Sequence, residues 1–103
     1  MQAPKINQQI TLQVPFGPFR GTYATRVEEI DARGIRVAMP IADREYVILA
    51  FGTEVTVVFY VDGGAYRFNT ETIGVVNQDV PQIVLAPPPK VDRIQRRGYV
   101  RID

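Results

Sequence analysis

The 103-residue chain contains no cysteine, no histidine and no serine, and each absence removes a class of chemistry. Without cysteine there is no disulfide framework and no thiolate metal site, and a reducing cytoplasmic compartment is the simplest home. Without histidine the usual general base and the commonest metal ligand are both missing. Losing serine as well removes the two most familiar side-chain nucleophiles. Carboxylates in pairs can still run hydrolytic chemistry, but here the acids stand singly on the polar faces of the expected strands, Glu28-Glu29 apart. The chain is therefore expected not to be an enzyme, with no catalytic residue, no metal site and no cofactor. Long apolar runs are lacking too. Val55 to Val61 is interrupted by Thr56 and falls far short of the roughly 20 residues that span a bilayer. The opening Met1-Gln-Ala-Pro-Lys5 has neither the charged nor the apolar region of a signal peptide. No membrane insertion is expected.

What remains is an ordinary globular composition, 46% hydrophobic and 22% charged, enough for one domain with one modest core. The net charge of +1 conceals an asymmetry. Residues 1–89 carry seven basic and nine acidic side chains, whereas residues 90–103 carry five basic (Lys90, Arg93, Arg96, Arg97, Arg101) and two acidic (Asp92, Asp103). A neutral-to-acidic body is followed by a basic tail.

The body reads as strands. Ile10, Leu12 and Val14 alternate with Gln9, Thr11 and Gln13 in a strand running from Ile6 to Val14, which Pro15-Phe-Gly-Pro-Phe19 ends. Gly21 to Ile30 is a second strand, Asp31 to Gly34 a turn, and Ile35 to Met39 a third strand stopped by Pro40. Within Ile41 to Phe51 the piece Tyr46 to Leu49 suits a short strand before a turn at Gly52. Glu54 to Tyr60 is rich in β-branched and aromatic residues, Asp62-Gly63-Gly64 is a hairpin signal, and Ala65 to Val76 returns. Ile83 to Leu85 completes the set, and Pro87-Pro88-Pro89 should be stiff and extended. No helical period runs before Lys90. The expected fold is all-β, a small antiparallel barrel of six or seven strands, which closure would relieve of exposed edges. The expected division is a barrel domain over 1–89 and a linker over 90–103.

Three features invite a functional reading. Phe16 and Phe19 suit either a docking patch or, the favoured reading, a cap on the barrel's end. Tyr23, Phe59, Tyr60, Tyr66 and Phe68 suit core packing better than a nucleic-acid stacking platform, since few Lys or Arg flank them. Glu28, Glu29 and Asp31 suit solvated carboxylates better than a cation site, because adjacent strand residues face opposite ways. The tail is the distinctive segment. Each guanidinium is a planar fork that grips phosphate or the guanine edge in bidentate fashion. Arg97 and Arg101 flank three residues, close enough to share one small anionic ligand, and Gly98 lets the backbone bend between them.

Arg96-Arg-Gly-Tyr-Val-Arg101 resembles the RxxxR element that opens PilZ domains, which bind the bacterial second messenger cyclic di-GMP. The chain ahead of it, with Gly21-Thr-Tyr-Ala-Thr-Arg-Val-Glu-Glu-Ile30, the Gly34-Ile35 turn and the Arg93-Ile-Gln-Arg-Arg97 junction, is similar to the N-terminal domain of flagellar brake proteins, a split-barrel-like PilZ-N fold. The resemblance implies a regulatory domain of a cyclic di-GMP receptor controlling flagellar motility. Arg97 and Arg101 would be the two motif arginines and Arg96 the extra one that often precedes them. Partners would be cyclic di-GMP, the PilZ domain of the parent chain and flagellar motor or stator proteins, at the cytoplasmic side of the flagellar basal body, with no nucleic acid. The second PilZ element, (D/N)-x-S-x-x-G, needs a serine that this chain lacks, so the chain is expected to carry half of a ligand site and to be cut from a longer protein. The alternative is a small nucleic-acid-binding barrel that uses the basic tail electrostatically.

Overall fold

A computed structural model describes residues 3–94. Among them there are nine strands: β1 (Gln9–Val14), β2 (Gly21–Asp31), β3 (Gly34–Ala38), β4 (Ile41–Ala42), β5 (Glu45–Tyr46), β6 (Glu54–Val61), β7 (Gly64–Val76), β8 (Gln82–Leu85) and β9 (Asp92–Arg93). All pairings are antiparallel, and the order β6-β1-β2-β3-β8-β7 closes because β7 pairs again with β6. The result is a six-stranded barrel, with β9 added on β7 and β4-β5 as a separate small hairpin.

Closure depends on two long strands that each serve two neighbours. β2 pairs with β1 through its first half and with β3 through its second, with a bulge between Val27 and Glu29 where it changes partner. β7 pairs with β6 up to Glu71 and with β8 from Thr72, with a second bulge between Thr72 and Gly74. An extra residue in one strand bends it and increases its twist, which carries the sheet around the corner at both places.

Inward-facing side chains alternate as period two requires. Ile10, Leu12 and Val14 of β1, Val55, Val57 and Phe59 of β6, and Ile83 and Leu85 of β8 meet Val27, Val37 and Phe68 in one continuous core. Phe59 lies edge-on to Phe68 at 6.1 Å between centroids and stacked on Tyr66 at 5.7 Å. Two polar residues, Thr72 and Gln82, are buried as well, and Thr72 is the more fully bonded. Its hydroxyl donates to the Ala50 carbonyl and accepts the Thr53 N–H, so both polar partners are satisfied inside.

The turns carry the chemistry expected of them. Asp62 and Gly63 form a two-residue loop with both φ positive (48° and 79°), the type I′ geometry that suits a twisted hairpin. The region read as a Tyr46–Leu49 strand is different. Its pairing residues are Glu45 and Tyr46, bonded to Ile41 and Ala42 across an Asp43-Arg44 loop that is also positive in φ. Beyond Tyr46 the chain has no strand partner. The Val47 N–H still donates to the Pro40 carbonyl at 2.8 Å; Val47 and Leu49 then bury while Ile48 stays exposed, which imitates the period of a strand outside any ladder. The first strand also starts later than Ile6, because Asn7 takes φ 72° in a turn closed from Gln8 to Lys5.

Candidate functional site

The alternation of strands gives the barrel two distinct ends. One carries the loops 15–20, 39–53 and 77–81, the other the turns at Ala32-Arg33 and Asp62-Gly63. After the three prolines the chain returns along β7. β9 sets Asp92 opposite Arg67 and Arg93 opposite Tyr66, and the Ile94 N–H donates to the Ala65 carbonyl at 2.8 Å. The chain is thus directed toward the Asp62-Gly63 end when it reaches the last described residue.

At that end Arg93 lies over the Tyr66 ring, 6.0 Å from its centroid. The attraction is between the guanidinium charge and the ring's negative face. Tyr66 in turn stacks on the buried Phe59, so one column of side chains runs from the core to the root of the tail. Gly64 makes room for it: a Cβ there would meet the Tyr66 ring at 3.3 Å and the Arg93 guanidinium at 3.5 Å. Lys90 reaches Asp92 at 3.7 Å, with both side chains largely exposed, an ion pair worth little by itself. Arg96, Arg97 and Arg101 lie outside the described residues. Tail composition had marked Arg93 as one basic residue among five. Its place on Tyr66 left no sequence signal, because a two-residue strand is too short to show a period.

Elsewhere the described surface is poorly suited to an anion. A groove of about 550 Å³ is lined by Pro15, Thr56, Asn69 and Pro87 among others, and also by Glu54 and Glu71, neighbours on the paired strands β6 and β7. Two adjacent carboxylates disfavour an anionic ligand. Two of the three β2 carboxylates are engaged with arginines: Arg26 donates to Glu28 and Arg36 to Asp31, each at 2.9 Å. The Arg36 guanidinium, with the Arg33 backbone N–H, holds the Asp31 carboxyl below its ordinary range. Among the described residues no three His, Cys, Asp or Glu side chains are placed to hold a metal ion, and no helix is long and apolar enough to cross a membrane.

The aromatic residues divide. Phe59 and Phe68 are buried and Tyr23 and Tyr66 pack against the core, while Tyr60 points outward. Phe16 does not cap the barrel: it is 71% exposed and outside the core cluster, as Phe51 is at 79%. Both sit at the loop-bearing end, opposite the root of the tail.

The family model described as flagellar protein YcgR, PilZNR, matches residues 5–88. Among solved structures, that of the Bacillus subtilis inhibitor of motility (MotI/DgrA) is similar, with a TM-score of 0.75 and 30% identity over 90% of this chain and 47% of that one. The chain thus spans about half the length of that structure. No curated protein matches it.

Proposed function

Since the chain belongs to the PilZNR family of flagellar protein YcgR, which it matches from residue 5 to 88, we propose that it is the regulatory N-terminal domain of a cyclic di-GMP receptor that adjusts flagellar motility. In this reading Arg96, Arg97 and Arg101 grip the nucleotide. The barrel, residues 1–89, presents them on a linker, residues 90–103, to a PilZ domain that follows. The observation that supports it most is the place of the motif. An RR-x-x-x-R sequence stands directly behind a PilZNR barrel whose last strand leads the chain to one end. A guanidinium matches the O6/N7 edge of guanine and a phosphate in bidentate fashion, and the +3 balance of the tail supplies the field for an anion. The serine-bearing half of the site belongs to the PilZ domain, the barrel itself is not catalytic, and the protein works in the cytoplasm at the flagellar motor. Phe16 and Phe51 put apolar surface for a motor partner at the end away from the nucleotide.

Nucleic-acid binding is the weaker reading. Phe59 and Phe68, which a stacking platform would need outside, are 0% and 2% exposed.

Calorimetric titration of this chain joined to its PilZ domain tests the proposal. Arg97→Ala or Arg101→Ala should weaken cyclic di-GMP binding about tenfold to a hundredfold, the worth of a good bidentate pair. Lysine should rescue little, because a point charge cannot reproduce the planar fork. Arg33→Ala, in a turn of the barrel, should bind like wild type. Wild-type affinity in both tail variants would remove the chemical basis of the reading.

A further inference from the structure

We infer that β9 is a strap that fixes where the arginine motif begins, and that Arg93 is a positioning residue acting through Tyr66 rather than a ligand contact. The inference rests on the cyclic di-GMP reading and concerns how that site is held. Three observations converge on it. The ladder Tyr66–Arg93 and Arg67–Asp92, with the Ile94 N–H on the Ala65 carbonyl, brings the chain back to the barrel only two residues before Arg96. Arg93 lies on Tyr66, which lies on Phe59, so the strap's aromatic seat is continuous with the core. Gly64 borders this seat: a Cβ there would press on the Tyr66 ring at 3.3 Å and touch the Arg93 guanidinium at 3.5 Å.

Such a strap is marginal by design. Two residues of ladder, the Ile94–Ala65 bond, the packing of Val91 on the core and one cation–π contact hold it against the entropy of a free chain. When only the closed form presents the arginines correctly, the apparent dissociation constant is the intrinsic one divided by the closed fraction. A modest loosening therefore appears directly in affinity. Linkage requires the reverse effect as well: nucleotide must close the strap by the same factor by which closure favours nucleotide.

The test uses the chain joined to its PilZ domain, with four variants and two readouts: cyclic di-GMP affinity by calorimetry, and hydrogen exchange at the Ile94 amide. Arg93→Gln and Tyr66→Leu should each weaken binding about twofold to fivefold, the range of an exposed cation–π contact. The double variant should lose no more than the larger single loss, because both substitutions remove the same contact. Nucleotide should slow exchange at Ile94 in the wild type. Arg93→Gln changes an exposed residue and needs no repacking, so it remains informative if Tyr66→Leu lowers the melting temperature. A loss beyond tenfold in Arg93→Gln with unchanged binding in Tyr66→Leu would make Arg93 a ligand contact and overturn the inference. So would wild-type affinity in both variants while Arg97→Ala, the fourth variant, has lost binding. If the unmutated protein itself does not bind, the nucleotide reading fails first and the strap's role goes with it.

Discussion

Gly34 holds φ at +149° at the start of β3, and the Leu85 backbone of β8 stands where its Cβ would be. Both constraints act at once, the backbone conformation and the close approach of a neighbouring strand. Neither can relax without moving a ladder that runs from Ile35–Leu85 to Ala38–Gln82. Gly34→Ala should therefore destabilise the barrel by about 2–4 kcal/mol, by strain plus displacement of β8. Gly52 isolates the first constraint, because its φ is +83° but a Cβ would meet nothing within 4 Å. Gly52→Ala should cost about 1 kcal/mol. Urea midpoints of the two variants check the ordering, and equal losses would show that Leu85 yields freely. The turn at Asp31–Gly34 was legible as a turn from its residue types. The second constraint was not, since Leu85 is remote in sequence.

The excursion between β3 and β6 shows how an element can mislead. Val47 and Leu49 bury on either side of an exposed Ile48, so period two is present, yet the stretch belongs to no strand and its backbone bond runs from the Val47 N–H to the Pro40 carbonyl. Hydrophobic alternation reports which side chains face inward, and a plugging loop satisfies it as well as a strand does. What holds the excursion down is Thr72, 1% exposed, with its hydroxyl on Ala50 and Thr53 and its backbone bonded to Gly52 and Thr53. Thr72→Val keeps the shape and removes both hydroxyl bonds, while the Ala50 carbonyl keeps the Thr53 hydroxyl and the Thr53 N–H keeps the Ala50 carbonyl. It should cost about 1 kcal/mol and raise hydrogen exchange at the Thr53 amide more than at β6. Exchange unchanged at Thr53 would mean that the backbone bonds alone secure the loop. The strands legible in the sequence, β1, β2, β3, β6, β7 and β8, are those whose alternation coincides with ladder bonds. The closure of the barrel was expected only from the general need to cover edges. Its means, the two bulged strands that change partners, join segments distant in sequence and leave no periodic mark.

At the scale of the molecule the root of the arginine tail lies at the Asp62-Gly63 end of a filled core. Exposed apolar side chains occur at both ends, Phe16 and Phe51 in the long loops and Ile6, Ile30 and Tyr60 near the short turns. The tail was legible because its charge departs from that of the body and because its spacing matches a motif. The seat of Arg93 on Tyr66 was not, because contacts between a two-residue strand and a barrel rim depend on closure. Whether the basic tail serves a guanine dinucleotide or a nucleic-acid backbone is separated best by ionic strength. Binding of cyclic di-GMP and of a single-stranded RNA oligonucleotide to the chain joined to its PilZ domain should be titrated between about 50 and 200 mM salt. The account predicts saturable cyclic di-GMP binding that survives the higher salt and is not displaced by cyclic di-AMP, with RNA binding weak throughout. Neutralisation of a single strand's phosphates by the five basic tail residues would instead lower affinity by about 10² over that range. RNA binding tighter than cyclic di-GMP binding, collapsing with salt in that way, would contradict the account.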